Sequence, residues 1–451
     1  MGRDDAMSFG DRTWGLRFRL REMVSRSWLV IPCIYVLAAL ILGKIVPGLV
    51  GHGSGPILGL SLAPDSARGI LEAVAAGMIT FTGLVVSIAV VVVQFGAGQY
   101  TPRLVLRFRR DPVVKHALGI FIAPALYALV CLGDVERAGN DDSATLTVAV
   151  AVVLLVAAVI AFFALTARLL DLLRPRRLFE LLRRGGERAI DEVYPLSWSD
   201  DADDLSAMPS GGVTLLHTGP DGVLSALDLG RLTEAARASD SLIEVAWRIG
   251  GYVRTGAPLF IVYGHPDRID HRELRRSALI SEERTLTQDP AFAFRTTVDI
   301  AIRALSPAVN DPTTASQALD TLESLLHRLA GRNLGTGFLS DREGRPRVAY
   351  PAATWDDMLD LALTEIRHYG ADSHQITRRM NSLLMGLLED CPPPRRAAVE
   401  RQMGLLEAAV HRNFESGEER MIAMTPDHIG LGGRHRLPPE SDLGAGTAPR
   451  P

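Results

Sequence analysis

The stretch ILEAVAAGMITFTGLVVSIAVVVVQF, Ile70–Phe95, decides what kind of molecule this is. It carries one charge, Glu72, and it exceeds the ~20 apolar residues a helix needs to cross the ~30 Å hydrocarbon core of a bilayer. No water reaches that depth, so the backbone must satisfy its own N–H and C=O groups, as a helix does. Three more apolar stretches flank it: Trp28–Val46, Val113–Leu132 and Leu146–Leu170. Together they predict an α-helical membrane protein with four transmembrane helices over 28–170. A cleaved signal peptide fits the first stretch poorly. The run is long, Lys44 sits near its end, and no small-residue cleavage site follows promptly.

Arginines crowd one side of these spans. Arg12, Arg17, Arg19, Arg21 and Arg26 fall in a basic N-terminus over 1–27. Arg103, Arg107, Arg109, Arg110 and Lys115 come between the second and third spans. Arg168, Arg174, Arg176, Arg177, Arg183 and Arg184 come at and after the fourth. The other two loops hold only Arg68 and Arg137, and the second is acidic, with Asp134, Glu136, Asp141 and Asp142. The positive-inside rule therefore places the N-terminus and everything after the fourth span in the cytoplasm. On that side the arginines are expected to face anionic headgroups.

Composition narrows the chemistry. Of 451 residues, enough lie beyond the membrane part for one or two soluble domains. A formal net charge of −4 gives no basic field for nucleic acid. Cys33, Cys131 and Cys391 offer neither a disulfide framework nor a metal-spaced set. Lys44 and Lys115 are the only lysines. The region after the fourth span therefore has no phosphate-loop lysine, Schiff-base lysine or cofactor-carrying lysine. No cofactor and no metal are expected.

The second span has a distinctive face. Gly77, Thr80, Leu84, Ser87, Val91 and Gln94 recur at steps of three and four, so they lie on one side of the helix. Such a face either lets helices pack closely or lines a wet path. The exit Gln99-Tyr-Thr-Pro-Arg103, preceded by Gly96 and Gly98, reads as an anchor or as a hinge at the mouth of a pore. Pro124 suggests a kink in the third span, and the fourth reads as lipid-facing.

Beyond the spans, Pro175 and then Leu178, Phe179, Leu181 and Leu182 among arginines suggest an interfacial amphipathic helix over 171–190. An acidic linker follows over 191–212, with Asp200, Asp201, Asp203 and Asp204. A small β-rich module is expected over 213–265, with strands Val213–His217, Gly222–Asp228, Leu242–Trp247 and Tyr252–Val262 and a helix Leu229–Ala238. Its phrase Gly250–Val262 resembles the hairpin of biotinyl and lipoyl barrel-sandwich modules, without the lysine to be modified, and reads as a binding or assembly element.

A cytoplasmic helical domain is expected over 266–424, completing an α+β region. Its packing stripes are Ala315/Leu319/Leu322/Leu326/Leu329, Trp355/Leu359/Ala362/Ile366/Tyr369, Ile376/Met380/Leu383/Leu387 and Val399/Met403/Leu406/Val410. Thr354 and Ser373 are placed as N-caps, and Cys391-Pro-Pro-Pro394 as a stop. The last segment, 425–451, reads as a disordered tail.

The densest polar motif runs from Gln288 to Ala315. Asp289-Pro290 and Asp311-Pro312 each look like an N-cap with proline at the first helical position. Phe294, Val298, Ile302 and Leu305 form one apolar face, Asp299 and Arg303 are spaced to pair, and Ser306-Pro307 ends the helix. Asp299, Arg303, Ser306, Asn310, Asp311 and Thr314 are thus either parts of a well-made helix–turn–helix or the holders of a ligand or partner.

The segment DIAIRALSPAVNDPTTA, Asp299–Ala315, resembles the hallmark of a bacterial membrane-protein family, domain of unknown function 2254. Gln99–Arg103 is similar to that family's other marked stretch. Ala293 and Ala308 stand where its pattern suggests glycine. The resemblance implies an integral membrane protein with a large cytoplasmic region, and brings no activity and no catalytic residues.

No nucleophile elbow, His-Glu-x-x-His or calcium loop occurs, and His368 and His374 are poorly spaced for one helix face. The expectation is not an enzyme. Two functions fit: an oligomeric channel or transport-type pore lined by the second span and gated by the cytoplasmic domain, or a membrane-anchored binding, sensory or scaffold protein. The expected partners are the bilayer and further copies of the chain.

Overall fold

The computed structural model describes residues 29–48, 62–99, 111–138, 141–172, 174–198, 209–334 and 337–430. The arginines of 1–27, Arg103–Arg110, Pro102, Asp200–Asp204 and 431–451 lie outside them. The chain forms two compact units, Met1–Arg174 and Pro175–Pro451.

The first unit holds α1 (Val30–Ile45), a 3-10 turn, α2 (Pro64–Gln99), α3 (Pro112–Ala138) and α4 (Asp141–Leu172). Helices α2, α3 and α4 contain segments long and apolar enough to cross a membrane. Helix α1 is apolar but has 16 residues, about 24 Å at ~1.5 Å per residue, so by length it falls short of the others. Helix α3 is the hub, packing on α1, α2 and α4. Small residues permit the close approach. A Cβ on Gly119 would meet Tyr35 Cδ2 at 2.5 Å, and one on Gly43 would meet Val130 Cγ1 at 2.9 Å.

Pro124 lies inside α3 without ending it. Near it, the Thr82 hydroxyl of α2 donates to Met78 O (2.7 Å) and reaches Phe121 O across the seam (3.2 Å). Side-chain hydroxyls can thus hydrogen-bond the backbone of a neighbouring helix across a seam. Helix α4 is not uniformly lipid-facing, as the sequence suggested. Ala144, Val148, Ala151, Ala158 and Leu165 are buried in the bundle, whereas Val153, Ile160 and Phe163 point outward.

The second unit begins with α5 (Pro175–Val193). Then follow β1 (Val213–Leu216), β2 (Gly222–Leu227), α6 (Leu229–Ala238), β3 (Leu242–Val245), β4 (Tyr252–Val253) and β5 (Pro258–Tyr263). Next are α7 (His271–Arg276), β6 (Ala278–Ser281), α8 (Pro290–Ala304), α9 (Pro312–Ala330), β7 (Phe338–Ser340) and β8 (Pro346–Ala349). The unit closes with α10 (Trp355–Gly370), α11 (His374–Asp390), α12 (Pro393–Asn413) and α13 (Gly417–Met424). A five-stranded sheet runs β1-β5-β3-β8-β7 and a three-stranded sheet β4-β2-β6. Leu224, Leu232, Ile243, Val245, Val253, Phe260 and Val262 belong to their shared core. Helix α8 is central to the helical part, against α5, α9 and α10.

Several expectations need correction here. The stretch expected as an interfacial helix is α5, and its apolar face packs on α8 and α9 instead of being left for lipid. Gly186 brings them together: an added Cβ would meet Leu325 Cδ2 at 2.8 Å and Ala293 Cβ at 2.9 Å. The start of the expected acidic linker is docked. Asp191 pairs with Arg328 and Arg332, Trp198 N donates to Gly331 O (3.0 Å), and Asn333 N donates to Leu196 O (2.9 Å).

The strand expected over Tyr252–Val262 is broken. Gly256 takes a left-handed φ of +80°, and β4 and β5 on either side of it join different sheets. Strands β6, β7 and β8 lie within the region expected to be helical, so residue 265 is no boundary. Thr354 forms its capping box with Asp357, but the Ser373 side chain makes no cap hydrogen bond. Residues 425–430, expected in a disordered tail, are held on α11. Arg378 Nε donates to Thr425 O (3.0 Å), and Gln375 Nε2 donates to Gly430 O (2.8 Å).

Candidate functional site

The polar face of α2 points away from its own chain. Gly77, Thr80, Leu84, Ser87, Val91 and Gln94 are all exposed, while Leu71, Ala75, Met78, Val85 and Ala89 on other sides are buried. A Cβ added at Gly77 or Gly83 would meet nothing within 4 Å. The hydroxyls are already served: Thr80 donates to Ala76 O (3.0 Å) and Ser87 to Gly83 O (2.9 Å). Gln94 has no hydrogen-bond partner among the described residues. A space lined by Val85, Ala89, Val114, Leu118 and Leu165 holds about 20 Å³ and is wholly apolar.

One charged cluster escaped the sequence reading. Asp111, buried, caps α3 by accepting from Val113 N (2.9 Å) and pairs with Arg168 Nε of α4 (2.8 Å). Lys115, 2% exposed, sits in the first turn of the same helix. Lys115 and Arg168, counted above among headgroup-facing bases, are thus a buried residue and an internal ion-pair partner. Ionisable groups in such positions are costly unless paired. The available signal was Asp111-Pro112, the same cap-and-proline pair recognised at two other places.

The Gln288–Ala315 motif forms as a tight helical turn. Asp289 accepts from Phe292 N (3.0 Å) and caps α8. Asp311 accepts from Thr314 N (3.0 Å) and from the Thr314 hydroxyl (2.5 Å), capping α9. Asn310 adopts φ +46°, which asparagine tolerates better than most residues. Its N–H donates to Ser306 O (2.9 Å), Asp311 N donates to Ala304 O (2.8 Å), and the Ser306 hydroxyl donates to Arg303 O (2.7 Å).

Asp299 does not take the expected partner. Arg295, four residues before it, donates to it at 2.7 Å and also grips Glu365 of α10 at 2.5 and 2.8 Å. Those hydrogen bonds hold the Glu365 carboxyl below the usual carboxylate range. The structure therefore brings Ser306, Asn310, Asp311 and Thr314 together in one turn and ties Asp299 to α10 through Arg295. Among the described residues no group of three or more His, Cys, Asp or Glu could hold a metal ion.

Sequence reasoning missed the link made by Gln288 and the burial of Asp289. Gln288 Oε1 accepts from Leu227 N (2.8 Å), and its Nε2 donates to Glu192 (2.7 Å), linking β2 to α5. Asp289 is 3% exposed, its Oδ2 has no partner, and burial pushes its carboxyl up.

A family profile described as a predicted membrane protein (DUF2254) matches residues 25–385, which contain both the α2 face and the α8–α9 turn. Uncharacterized proteins of Mycobacterium bovis and Mycobacterium tuberculosis are each 29% identical over 400 residues, covering 83% of this chain and 77% of theirs. No solved structure matches. With most of its length inside the profile, the chain belongs to the domain of unknown function 2254 family of predicted membrane proteins.

Proposed function

We propose that this membrane protein works as an oligomer of identical copies that meet around the exposed face of α2, and that this face lines a path for an ion or small polar solute. In this reading α1 serves as a fourth span, the bilayer accommodating its shorter length. The N-terminus and the Pro175–Pro451 unit lie in the cytoplasm of a bacterium, as the arginine distribution favours. The second unit assembles or gates the path. No catalytic role is assigned to any residue.

The observation that carries the reading is Gln94. A primary amide exposed on a membrane-length helix needs a partner or water, and its own chain supplies no partner among the described residues. Thr80 and Ser87 add polar surface on the same side. The buried apolar clusters between the helices of the single bundle support a path between copies over one through a single chain.

The test is bilayer recording on purified, oligomeric protein. Conductance is expected, and Gln94→Leu is expected to change it. Ser87→Cys, in a chain with Cys33, Cys131 and Cys391 replaced, should cross-link copies. Silent bilayers together with monomeric, uncross-linked protein would overturn the proposal. A second reading, a membrane-anchored protein that holds a ligand, is favoured by a separate cavity in the second unit.

A further inference from the structure

That cavity, of about 850 Å³, opens between α10 and α12. Small-molecule sites commonly span about 300–1,000 Å³. The charges around it are unequal. Among the described residues Glu365 is the one carboxylate lining it, and Arg295 already holds that group with two hydrogen bonds. Arg367 and Arg412 line it as well, with His368, Tyr369 and Asn413.

Arg367 is half-buried, and of its five N–H donors one goes to Gln402 Oε1 at 2.5 Å. Burial holds its guanidinium below the ordinary range and the like charge of Arg412 pushes the same way, while Asp360 opposes them. Asp360 is itself shared between Gln402 and Arg401. Arg412 is exposed and has no ion pair or hydrogen bond to any described residue. Two neighbouring guanidinium groups repel each other unless something negative sits between them. Each presents a planar fork of donors suited to oxyanions. A carboxylate has two oxygens and is satisfied by one fork, whereas a phosphate has enough oxygens to engage both.

We propose that this cavity binds a phosphate-bearing small molecule, with Arg367 and Arg412 on the phosphate oxygens and Tyr369 and His368 beside its organic part. The site stands whether or not α2 lines a path. The phosphate could belong to a soluble metabolite or to a lipid headgroup, and the test separates the two sources.

Full-length protein in detergent would be titrated calorimetrically with pyrophosphate and with dihexanoyl phosphatidic acid. Saturable binding at one site per chain is expected for at least one probe. Pyrophosphate alone points to a soluble ligand, and tighter, competitive binding of phosphatidic acid points to a headgroup. Arg412→Gln should weaken the bound probe by about tenfold or more, and adding Arg367→Gln should abolish binding. Arg237→Gln, on α6 and paired with Glu234 outside the cavity lining, should bind as the parent does. Arg412 is exposed, so its variant keeps the test decisive if Arg367→Gln fails to fold. No saturable heat with either probe, or undiminished binding by Arg412→Gln, would overturn the proposal.

Discussion

Arg395, near the start of α12, ties down the end of α9. It is buried and donates to Leu329 O (2.9 Å) and Ala330 O (2.8 Å) at the end of α9 and to Arg332 O (2.7 Å) just beyond it, helping to satisfy the last carbonyls of the helix. Its guanidinium lies 4.5 Å from the Trp198 ring centroid and 5.3 Å from that of Trp355. Burial pulls it down to about 10, still charged at neutral pH. Arg395→Met should cost about 3 kcal/mol or more, since hydrogen bonds to charged groups contribute roughly 1.5–3 kcal/mol each. Thermal unfolding followed by tryptophan fluorescence would show it, and Arg395→Lys should recover only part of the loss.

Asp289 gives a pH prediction. Its folded value is raised by burial, so its contribution is complete below the ordinary carboxylate value, about 3.9, and is lost as pH rises through the higher folded value. Asp289→Asn keeps a competent cap and has no charge to bury. The melting-temperature difference, variant minus parent, should grow from pH ~4 upward; a flat difference would refute the assignment. At this scale the sequence was legible where a local rule acts alone, as at the Asp289 and Asp311 caps. It was not legible for Asp299, because helical spacing offers an arginine four residues away on both sides. The choice of Arg295 came with Glu365, 70 residues further on.

Among helices, glycine separates faces that touch within the chain from faces that do not. Gly119→Val should loosen α1 from α3, because its Cβ would fall on Tyr35 near the base of that side chain. The expected loss is about 1–3 kcal/mol, read as a lower unfolding temperature in detergent. Gly77→Val should leave a single chain's stability nearly unchanged, since nothing lies within 4 Å. If copies meet on that face, the same change should lower the oligomer's mass in light scattering. The three long apolar helices were legible because apolar length is a local property. Helix α6 matched its expected bounds, Leu229–Ala238. The destination of α5's apolar face was not legible, because a stripe of leucines fits lipid or protein equally well until α8 and α9 are seen against it.

At the scale of the whole second unit, the end of the described chain acts as a clasp. Asn381 donates to Met424 O (2.5 Å), Ser382 bonds His428 (2.8 Å), and Ser316 of α9 donates to Gly430 O (3.2 Å). A chain ending at Met424 should unfold several degrees below one ending at Gly430, since each lost kcal/mol shifts the midpoint by about 2–4 °C in a domain of this size. The clasp was hidden in the sequence because its donors, Gln375, Arg378, Asn381 and Ser382, sit inside a helix whose apolar stripe draws attention first.

The parallel pairing of Ile243 with Val348 has a consequence for how the protein is made. A ribosome adding about 5–20 residues per second needs roughly 5–20 s to travel from the earlier partner to the later one. Throughout that interval one edge of the nascent sheet stands open, ready to accept a stray strand. Slowing synthesis across 250–345 should therefore lower the yield of soluble, correctly assembled protein without altering a single amino acid.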